Sequence, residues 1–283
     1  MSDAPSAALS VVIPAHDEEA VLPALLTALG HDGIEVVVVS NGSSDATAEA
    51  ARRAAPWATV VEIDEASKTA ALRAGDEAAR AFPRFYLDAD IALDAADLHR
   101  LAAALAAPGA VAVAPSVTFD SSGSSALVRA YYRALPLLPA VSHSIAGTGC
   151  IGVTASGRAR FDAWPPVLAD DFFLDGLFQP DEKHRAPDVT ARVTTPRALR
   201  DLVRRRERVI WGNRQVAALG LRAPAAGGGA SGVVATALRH PRRLADLTVF
   251  AAVGVLVRVR VLVKDLRGQS VGWNRDDSRA PRA

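Results

Sequence analysis

The sequence predicts an α/β fold whose central, mostly parallel sheet is flanked by helices, with a helical extension at the C-terminus. Short apolar runs rich in β-branched residues recur along the first half of the chain, and segments with helical spacing of apolar residues separate them. Such alternation implies right-handed crossovers and therefore parallel strands. Ligands gather at the carboxyl ends of parallel strands, so we expect the site where polar turns follow the strands.

Composition narrows the range of functions. The 283 residues are 50% hydrophobic and 22% charged, which predicts a sizeable core and excludes wholesale disorder. The net charge of +1 argues against a general nucleic-acid binder, although positive charge is concentrated late in the chain. The single cysteine, Cys150, cannot form an internal disulfide, and no Cys/His cluster has zinc spacing.

Four strands, each followed by a helix, are expected in the first half of the chain. Each predicted strand is a short apolar run, and a polar turn separates it from the next helix. The strands are expected at residues 9–14, 34–39, 59–63 and 85–87. The helices are expected at residues 21–29, 46–55, 67–81 and 98–107.

The second half is less regular. The glycine-rich segment 145–153 leads into an apolar strand, which suits close approach of the backbone to a ligand. Further strands are expected at residues 110–114 and 188–195, and helices at 126–138, 196–219 and 233–266. The segment 120–125 is expected to be a flexible loop, 225–232 a low-complexity hinge, and the residues after 266 a frayed end.

Asp88 and Asp90 follow the fourth predicted strand directly. Residues i and i+2 of a strand share one face, so both carboxylates can point into one pocket. Two hard oxygen ligands with an open coordination sphere suit Mg²⁺ or Mn²⁺, with substrate phosphates completing the shell. The pattern Asp-x-Asp is common, however, and the alternative is one aspartate capping the helix near Asp94 with the other solvated.

Five segments in a fixed order resemble the inverting family 2 glycosyltransferases of the GT-A fold. They are VVIPAHDEE, VVVVSNGSSDAT, the segment with Lys68 and Arg73, YLDAD, and ADDFFL followed by the arginine cluster RRRERVIWGN. The resemblance covers roughly residues 9–215. It implies transfer of a sugar from a nucleoside-diphosphate sugar to a hydroxyl acceptor.

The resemblance also implies which residues bind the donor. The first turn would hold the base and ribose, and the Asp-x-Asp segment would hold the diphosphate through a metal ion. The implied contacts are Pro14, Ala15, His16, Glu18, Asn41, Lys68, Arg73, Asp88 and Ala89, with Asp88 and Asp90 as ligands of Mn²⁺ or Mg²⁺. Asn41 stands where the family usually has an acidic pair, so the base preference is open. Lys68 and Arg73 could instead lie on a solvated helix face, and Asp45 reads as a helix cap.

The acidic pair Asp170-Asp171 resembles the pair in this family whose second member is the catalytic base. We expect Asp171 to take the proton of the acceptor hydroxyl and the neighbouring phenylalanines to raise its pKa. Asp170 fits the alternative role of an acid at a helix N-terminus. Gly147, Thr148, Gly149 and Asp170 are the expected acceptor contacts. His143 and His184 are candidates for a third metal ligand, but such a histidine is more often on the surface or already hydrogen-bonded.

The late arginine cluster only approximates the Q-x-x-R-W motif typical of processive synthases, which favours a single-transfer enzyme. Arg204 and Arg208 share a helix face and could clamp the diphosphate. The same basic face could instead serve acidic lipid or an acidic partner.

The expected organisation is a transferase domain at 1–222, with a donor half at 9–115 and an acceptor half at 116–222, a hinge at 223–232 and a helical extension at 233–283. The apolar stretch 247–257 is flanked by arginines and is too short to span a bilayer. It is expected either to be buried or to lie on an anionic membrane surface. Without a signal-peptide pattern, the expected location is the cytoplasm, peripheral at the inner face of the cell membrane.

Two rival functions stay open from the sequence. Another nucleotide enzyme, such as a nucleotidyltransferase, should have a glycine-rich loop after the first strand, and Pro14-Ala15-His16-Asp17 has no glycine. A non-catalytic binding or scaffold protein with the same fold would keep the topology and lose the base.

Overall fold

The computed structural model describes residues 8–31, 33–142, 144–221 and 229–268. The chain divides into two compact units. The first contains the described residues within 1–118 and 145–192, and the second those within 119–144 and 193–283. This division differs from the expected one, because helical residues before the predicted hinge group with the C-terminal helices.

A seven-stranded sheet forms the centre of the first unit. Its strands are β1 (Leu9–Ala15), β2 (Ile34–Asn41), β3 (Thr59–Ile63), β4 (Arg84–Leu87), β5 (Ala112–Asp120), β6 (Cys150–Val153) and β7 (Lys183–Thr194). Their order is β3-β2-β1-β4-β6-β5-β7. The first four strands are parallel, and β6 runs antiparallel to β4 and β5. The α/β class is therefore confirmed.

Eleven helices are found among the described residues. They are α1 (Leu22–Leu29), α2 (Thr47–Ala54), α3 (Lys68–Ala78), α4 (Ala95–Ala104), α5 (Ala126–Ala134), α6 (Pro139–Ser142), α7 (Ala155–Arg158), α8 (Asp170–Leu177), α9 (Leu199–Ala218), α10 (Gly229–Arg239) and α11 (Leu244–Leu266). Helices α5, α6, α9, α10 and α11 lie in the second unit.

Helix α3 is held against the sheet by a glycine and a buried carboxylate. A Cβ on Gly75 would lie 2.2 Å from Val12 Cγ1, so only glycine permits this approach of α3 to β1. Next to it, the Asp76 carboxylate accepts hydrogen bonds from Arg84 Nη1 (2.7 Å) and Tyr86 Oη (2.8 Å). Its other oxygen accepts from Arg158 Nε (2.7 Å) and Trp164 Nε1 (2.8 Å). The side chain of Asp76 is 5% exposed, so this network lies inside the unit.

The second unit is built around α11, which packs on α5 and α9. Phe250 of α11 stacks on Tyr131 with ring centroids 4.9 Å apart. Arg133 binds Asp246 at 2.6 Å, and the buried Glu207 accepts from both Arg260 and Lys264. Within the described ranges, no helix combines the length and apolar content that crossing a membrane requires.

Three predicted elements have different limits in the structure. Strand β5 continues to Asp120, past the predicted end at residue 114 and up to the first residue of the predicted loop 120–125. The predicted helix 233–266 is two helices, because Pro241 lacks the N–H that a continuous helix needs and begins a 3₁₀ turn, Pro241–Arg243. In the predicted hinge, residues 229–232 belong to α10, and 222–228 lie outside the described residues.

Candidate active site

The site lies in the first unit, at the carboxyl ends of β1, β2 and β4. Strand β1 lies between β2 and β4. The chain adds β2 and β3 on one side of β1 and then crosses to the other side to form β4, so the strand order reverses at β1. This reversal of strand order opens a crevice in which doubly wound α/β proteins bind ligands.

Hydrogen bonds join the turns after β1 and β2. Asp17 has a positive φ of 54°, and its carboxylate accepts from the Ser44 amide at 2.6 Å. The Glu18 amide donates to Thr47 Oγ1 at 2.8 Å, and the Glu19 amide donates to Asp45 Oδ2 at 3.2 Å. Burial alone would raise the pKa of Asp17, but the Ser44 amide and His16 lower it below its ordinary value. The two turns thus form one preorganised polar edge.

Asp45 also accepts from the Thr47 amide at 3.0 Å, which makes an Asx turn leading into α2, whereas the N-cap position of α2 is Ala46 and not Asp45. His16 Nδ1 donates to the Asn41 carbonyl oxygen at 2.7 Å, which orients the imidazole from the end of β2. The Asn41 side chain itself is 1% exposed. Its side-chain amide is therefore enclosed in this conformation, and the contact between Asn41 and His16 is made by the Asn41 backbone carbonyl.

Lys68 joins two distant acidic segments. Ser67 caps α3 by accepting from the Ala70 amide, which places Lys68 in the first turn of the helix. Lys68 Nζ lies 2.7 Å from Asp88 Oδ1 and 2.8 Å from Asp170 Oδ2. Burial alone would lower the pKa of Lys68, but Asp170 and Asp88 raise it well above its ordinary value. Lys68 is thus a fixed positive charge between β4 and α8, and not a residue on a solvated helix face.

Asp171 lies next to this ion pair. Its Oδ2 accepts from the Gly147 amide at 2.8 Å, and its Oδ1 accepts from the Phe172 amide at 2.8 Å. Burial, followed by the negative charge of Asp170, raises the pKa of Asp171 to about 6. The expected direction of the shift is confirmed, but the neighbouring carboxylate contributes beside burial. A carboxylate with this pKa can accept a proton near neutral pH.

Asp88 and Asp90 follow β4 as expected. The Asp88 amide donates to the Gly149 carbonyl at 2.8 Å, and its side chain is 36% exposed. Asp90 is exposed, whereas Ala89 between them is buried. No group of three or more His, Cys, Asp or Glu side chains could hold a metal ion among the described residues. Two accessible carboxylates remain a suitable donor set for a divalent ion that takes its other ligands from phosphate and water.

The glycine-rich segment connects the two acidic regions. Gly147 and Gly149 have φ values of 73° and 72°, and a Cβ on Gly149 would lie 2.4 Å from Ile91 Cγ1. Thr148 was expected to contact the acceptor, but it is fully buried and its hydroxyl donates to the backbone oxygens of Ile145 and Cys150. Its side chain therefore shapes the turn and does not face the site.

Cys150, His184 and Arg204 belong to three other elements, β6, β7 and α9. Cys150 is buried, and burial raises its pKa well above the ordinary value, so it is an inert core thiol. His184 is exposed on β7, and His143 lies outside the described residues. Arg204 and Arg208 are on α9 of the second unit, where Arg204 is 75% exposed and lies 3.7 Å from Asp201. Asp76 and the pairing of Lys68 with Asp170 were missed, because both depend on partners distant in sequence.

The sequence between residues 10 and 159 matches the family model Glycosyl transferase family 2, which covers more than half of the chain. The chain belongs to glycosyl transferase family 2. The match includes Asp88 and Asp90 and ends before Asp170 and Asp171. The expected family is confirmed.

A dolichyl-phosphate beta-glucosyltransferase of Drosophila melanogaster is 34% identical over 122 residues, which are 37% of this chain and 37% of that relative. The match thus spans well under half of that relative's length.

Among solved structures, a mannosyltransferase of Pyrobaculum calidifontis in complex with GDP-Man and Mn²⁺ superposes with a TM-score of 0.61 and 21% identity, over 91% of this chain and 80% of that one. Glucosyl-3-phosphoglycerate synthase of Mycobacterium tuberculosis with phosphoglyceric acid gives a TM-score of 0.54 and 19% identity, over 76% and 80%. These likenesses confirm the GT-A fold.

Proposed function

We propose that this family 2 protein transfers a sugar from a nucleoside-diphosphate sugar to a hydroxyl acceptor with inversion at the anomeric carbon. The observation that carries the proposal is the Lys68 bridge, whose ammonium contacts both Asp88 and Asp170. This contact brings Asp88, which is proposed to bind the donor diphosphate, next to the acidic pair that is proposed to include the base. The family match argues against a nucleotidyltransferase.

Asp171 is the proposed general base. As the acceptor oxygen bonds to the anomeric carbon, the bond from that carbon to the diphosphate oxygen breaks, and its electron pair leaves with the nucleoside diphosphate. The acceptor's proton moves to Asp171. Each carboxylate oxygen has two acceptor sites, so the bonds from Gly147 and Phe172 leave room for this proton.

Asp88 and Asp90 are the proposed ligands of Mn²⁺ or Mg²⁺. When bound, the ion supplies Lewis-acid neutralisation of charge on the departing diphosphate. The P. calidifontis structure holds GDP-Man and Mn²⁺ in the same fold, which supports this role. Lys68 already pairs with one oxygen of Asp88. In the free protein, the site therefore attracts a cation less strongly than two unpaired carboxylates would. The negative charge of the diphosphate restores that attraction.

The remaining donor contacts are proposed on the polar edge that the turns after β1 and β2 form. Pro14, Ala15, His16 and Glu18 would hold the base and ribose, with Asn41 orienting His16. Arg73 and Ala89 would flank the diphosphate. Gly147, Gly149 and Asp170 are the proposed acceptor contacts. The acceptor is proposed to be membrane-proximal or lipid-linked, and the protein to act at the inner membrane face.

The substitution Asp171→Asn tests the base. Turnover should fall by at least about a hundredfold, while nucleotide-sugar affinity measured by titration calorimetry stays within about threefold. In the parent protein, kcat/KM should fall about tenfold per pH unit below about pH 6, as Asp171 becomes protonated. Asp181→Asn, an exposed acid of the same unit, is the matched control.

A screen of nucleotide-sugar hydrolysis with Mn²⁺ and Mg²⁺ identifies the donor and tests the metal ligands. Asp90→Ala should lower both turnover and Mn²⁺ affinity. An Asp90→Ala variant as active as the parent would disprove the metal assignment. Donor binding without turnover in the parent would instead indicate a binding protein of the same fold.

A further inference from the structure

Helix α11 is apolar on two opposite faces. The inner face packs on the second unit through Leu247, Phe250, Val253, Val257 and Val261, all of which are buried. The opposite face carries an outer stripe of exposed apolar side chains. The outer stripe consists of Val255, Leu256, Val259, Leu262, Val263 and Leu266, which are 38% to 80% exposed.

The outer stripe is continuous. Val255, Val259, Leu262 and Leu266 follow one another at intervals of three or four residues, so they form a single row along the helix. The row extends over about 17 Å at the rise of an α-helix. Contiguous exposed apolar surface of this kind marks an interaction site, whereas a helix that only closes a core is polar on its outer face.

Basic residues border the outer stripe. Arg258 and Arg267 are exposed beside it, and Arg239, Arg242 and Arg243 are exposed just before α11. The one exposed acid of this helix, Asp265, lies 2.7 Å from Arg214, which neutralises it. The described residues of the second unit contain sixteen Lys and Arg against five Asp and Glu, although the whole chain has a net charge of only +1.

We infer that the outer stripe of α11 docks on the surface of an anionic bilayer, with its apolar side chains among the acyl chains nearest the headgroups and its arginines at the phosphates. Apolar side chains combined with flanking Lys or Arg are the chemistry of a helix that lies in the membrane interface. A second copy of the chain would bring together two units that each carry a large positive charge, and this repulsion opposes dimerisation through the same face.

This inference gives a physical location to the membrane-proximal acceptor of the proposed function, but it depends only on residues of the second unit. Vesicle binding and glycosyl transfer can therefore fail separately. A protein that binds vesicles without turnover would refute the proposed function alone, and one that turns over a water-soluble acceptor without binding vesicles would refute the docking surface alone.

The test is co-flotation of the full chain with vesicles of phosphatidylcholine alone or with about one third phosphatidylglycerol. The parent should bind the anionic vesicles, and the bound fraction should fall as salt is raised. Leu262→Glu should lower the partition coefficient at least tenfold. Leu219→Glu, at the C-cap of α9 and similarly exposed in the parent (50% against 56%), should leave it unchanged. Circular dichroism confirms that both variants are folded.

A second measurement reports on the docked face. In Val259→Trp, the added indole should be quenched by brominated lipid in anionic vesicles beyond the quenching seen in the parent. Absence of vesicle binding, binding that Leu262→Glu leaves intact, or no added quenching would each overturn the inference. So would a parent dimer in light scattering that Leu262→Glu dissociates, because the stripe would then be a contact between two copies.

Discussion

The two units of the chain carry net charges of opposite sign, and their charged side chains lie in different environments. The described residues of the first unit contain twelve Lys and Arg against twenty-two Asp and Glu, and those of the second contain sixteen against five. In the first unit the buried charges are satisfied by defined partners, as Asp76 and Lys68 show. In the second unit many basic side chains are exposed beside apolar ones. A net charge near zero therefore says little about what either unit binds.

The strongest test of this contrast removes the central carboxylate of the first unit. Asp76→Asn should lower the free energy of unfolding by about 3–5 kcal/mol, because the Arg84 guanidinium is 5% exposed and would lose its counter-ion. The amide would also present an N–H group to donors that now share a carboxylate. Urea denaturation followed by tryptophan fluorescence measures the loss. Arg84 also donates to Ser10 Oγ at 3.2 Å and to the Ala79 carbonyl at 2.7 Å, and a change below about 1 kcal/mol would show that these acceptors satisfy the guanidinium without the carboxylate.

The second test concerns the cost of the proposed base. The folded pKa of Asp171, about 6, is above its ordinary value of 3.8, so the folded state holds the proton more tightly than the unfolded chain does. Its contribution to stability is present at low pH and is lost as pH rises through about 6. The free energy of unfolding of Asp171→Asn, measured relative to that of the parent, should therefore rise by up to about 2 kcal/mol from pH 4.5 to pH 7.5. Paired urea titrations at both pH values measure this difference, and an equal difference at both would contradict the raised pKa.

A smaller effect is expected where the second unit does bury a charge. Glu207 is 2% exposed and binds Arg260 and Lys264, whose side chains are 50% and 29% exposed. Because solvent screens these partners, Glu207→Gln should lower the free energy of unfolding by only about 1–2 kcal/mol, which is less than the loss expected for Asp76→Asn. Hydrogen exchange of the α11 amides should report the loosening. A loss as large as that of Asp76→Asn would remove the distinction between the two units.

The smallest effect is expected at an exposed ion pair. Arg52 and Glu62 lie 2.5 Å apart, but their side chains are 49% and 54% exposed. Glu62→Gln should change the free energy of unfolding by less than about 1 kcal/mol, since water screens the pair. Thermal unfolding of this variant also serves as the control for Asp76→Asn. A larger change would mean that acids on the surface of the first unit contribute as the buried ones do.

Local patterns predict most of the fold. Strand β3 begins and ends at the predicted residues, and β1 ends one residue later than predicted. In both, polar turns bound a run of β-branched residues, and this pattern determines where the strand begins and ends. Strand β5 extends past its predicted end at residue 114 and includes Pro115, because a proline is tolerated in a strand where its missing N–H leaves no ladder partner unpaired. The break at Pro241 was foreseeable from the missing N–H of proline.

The candidate site could be predicted only in part. Residue types and order indicate Asp88, Asp90 and Asp171, because each belongs to a local motif. The pairing of Lys68 with both Asp88 and Asp170 joins residues up to 102 positions apart, and no local pattern contains it. Burial of Thr148 and Asn41 likewise follows from tertiary packing, so these two polar side chains are enclosed although they lie in turns beside the candidate site.

Gly75 has no chemistry of its own, yet it sets the position of the residue that joins the two acidic regions. It lies two helical turns beyond Lys68 on α3, at the point where the helix touches Val12 of β1. Any side chain there would wedge the helix outward and carry the ammonium away from its two carboxylates. In a mutational scan, Gly75 should therefore tolerate substitution as poorly as the acids in the crevice do. Activity would then depend on a buried residue that no substrate contacts.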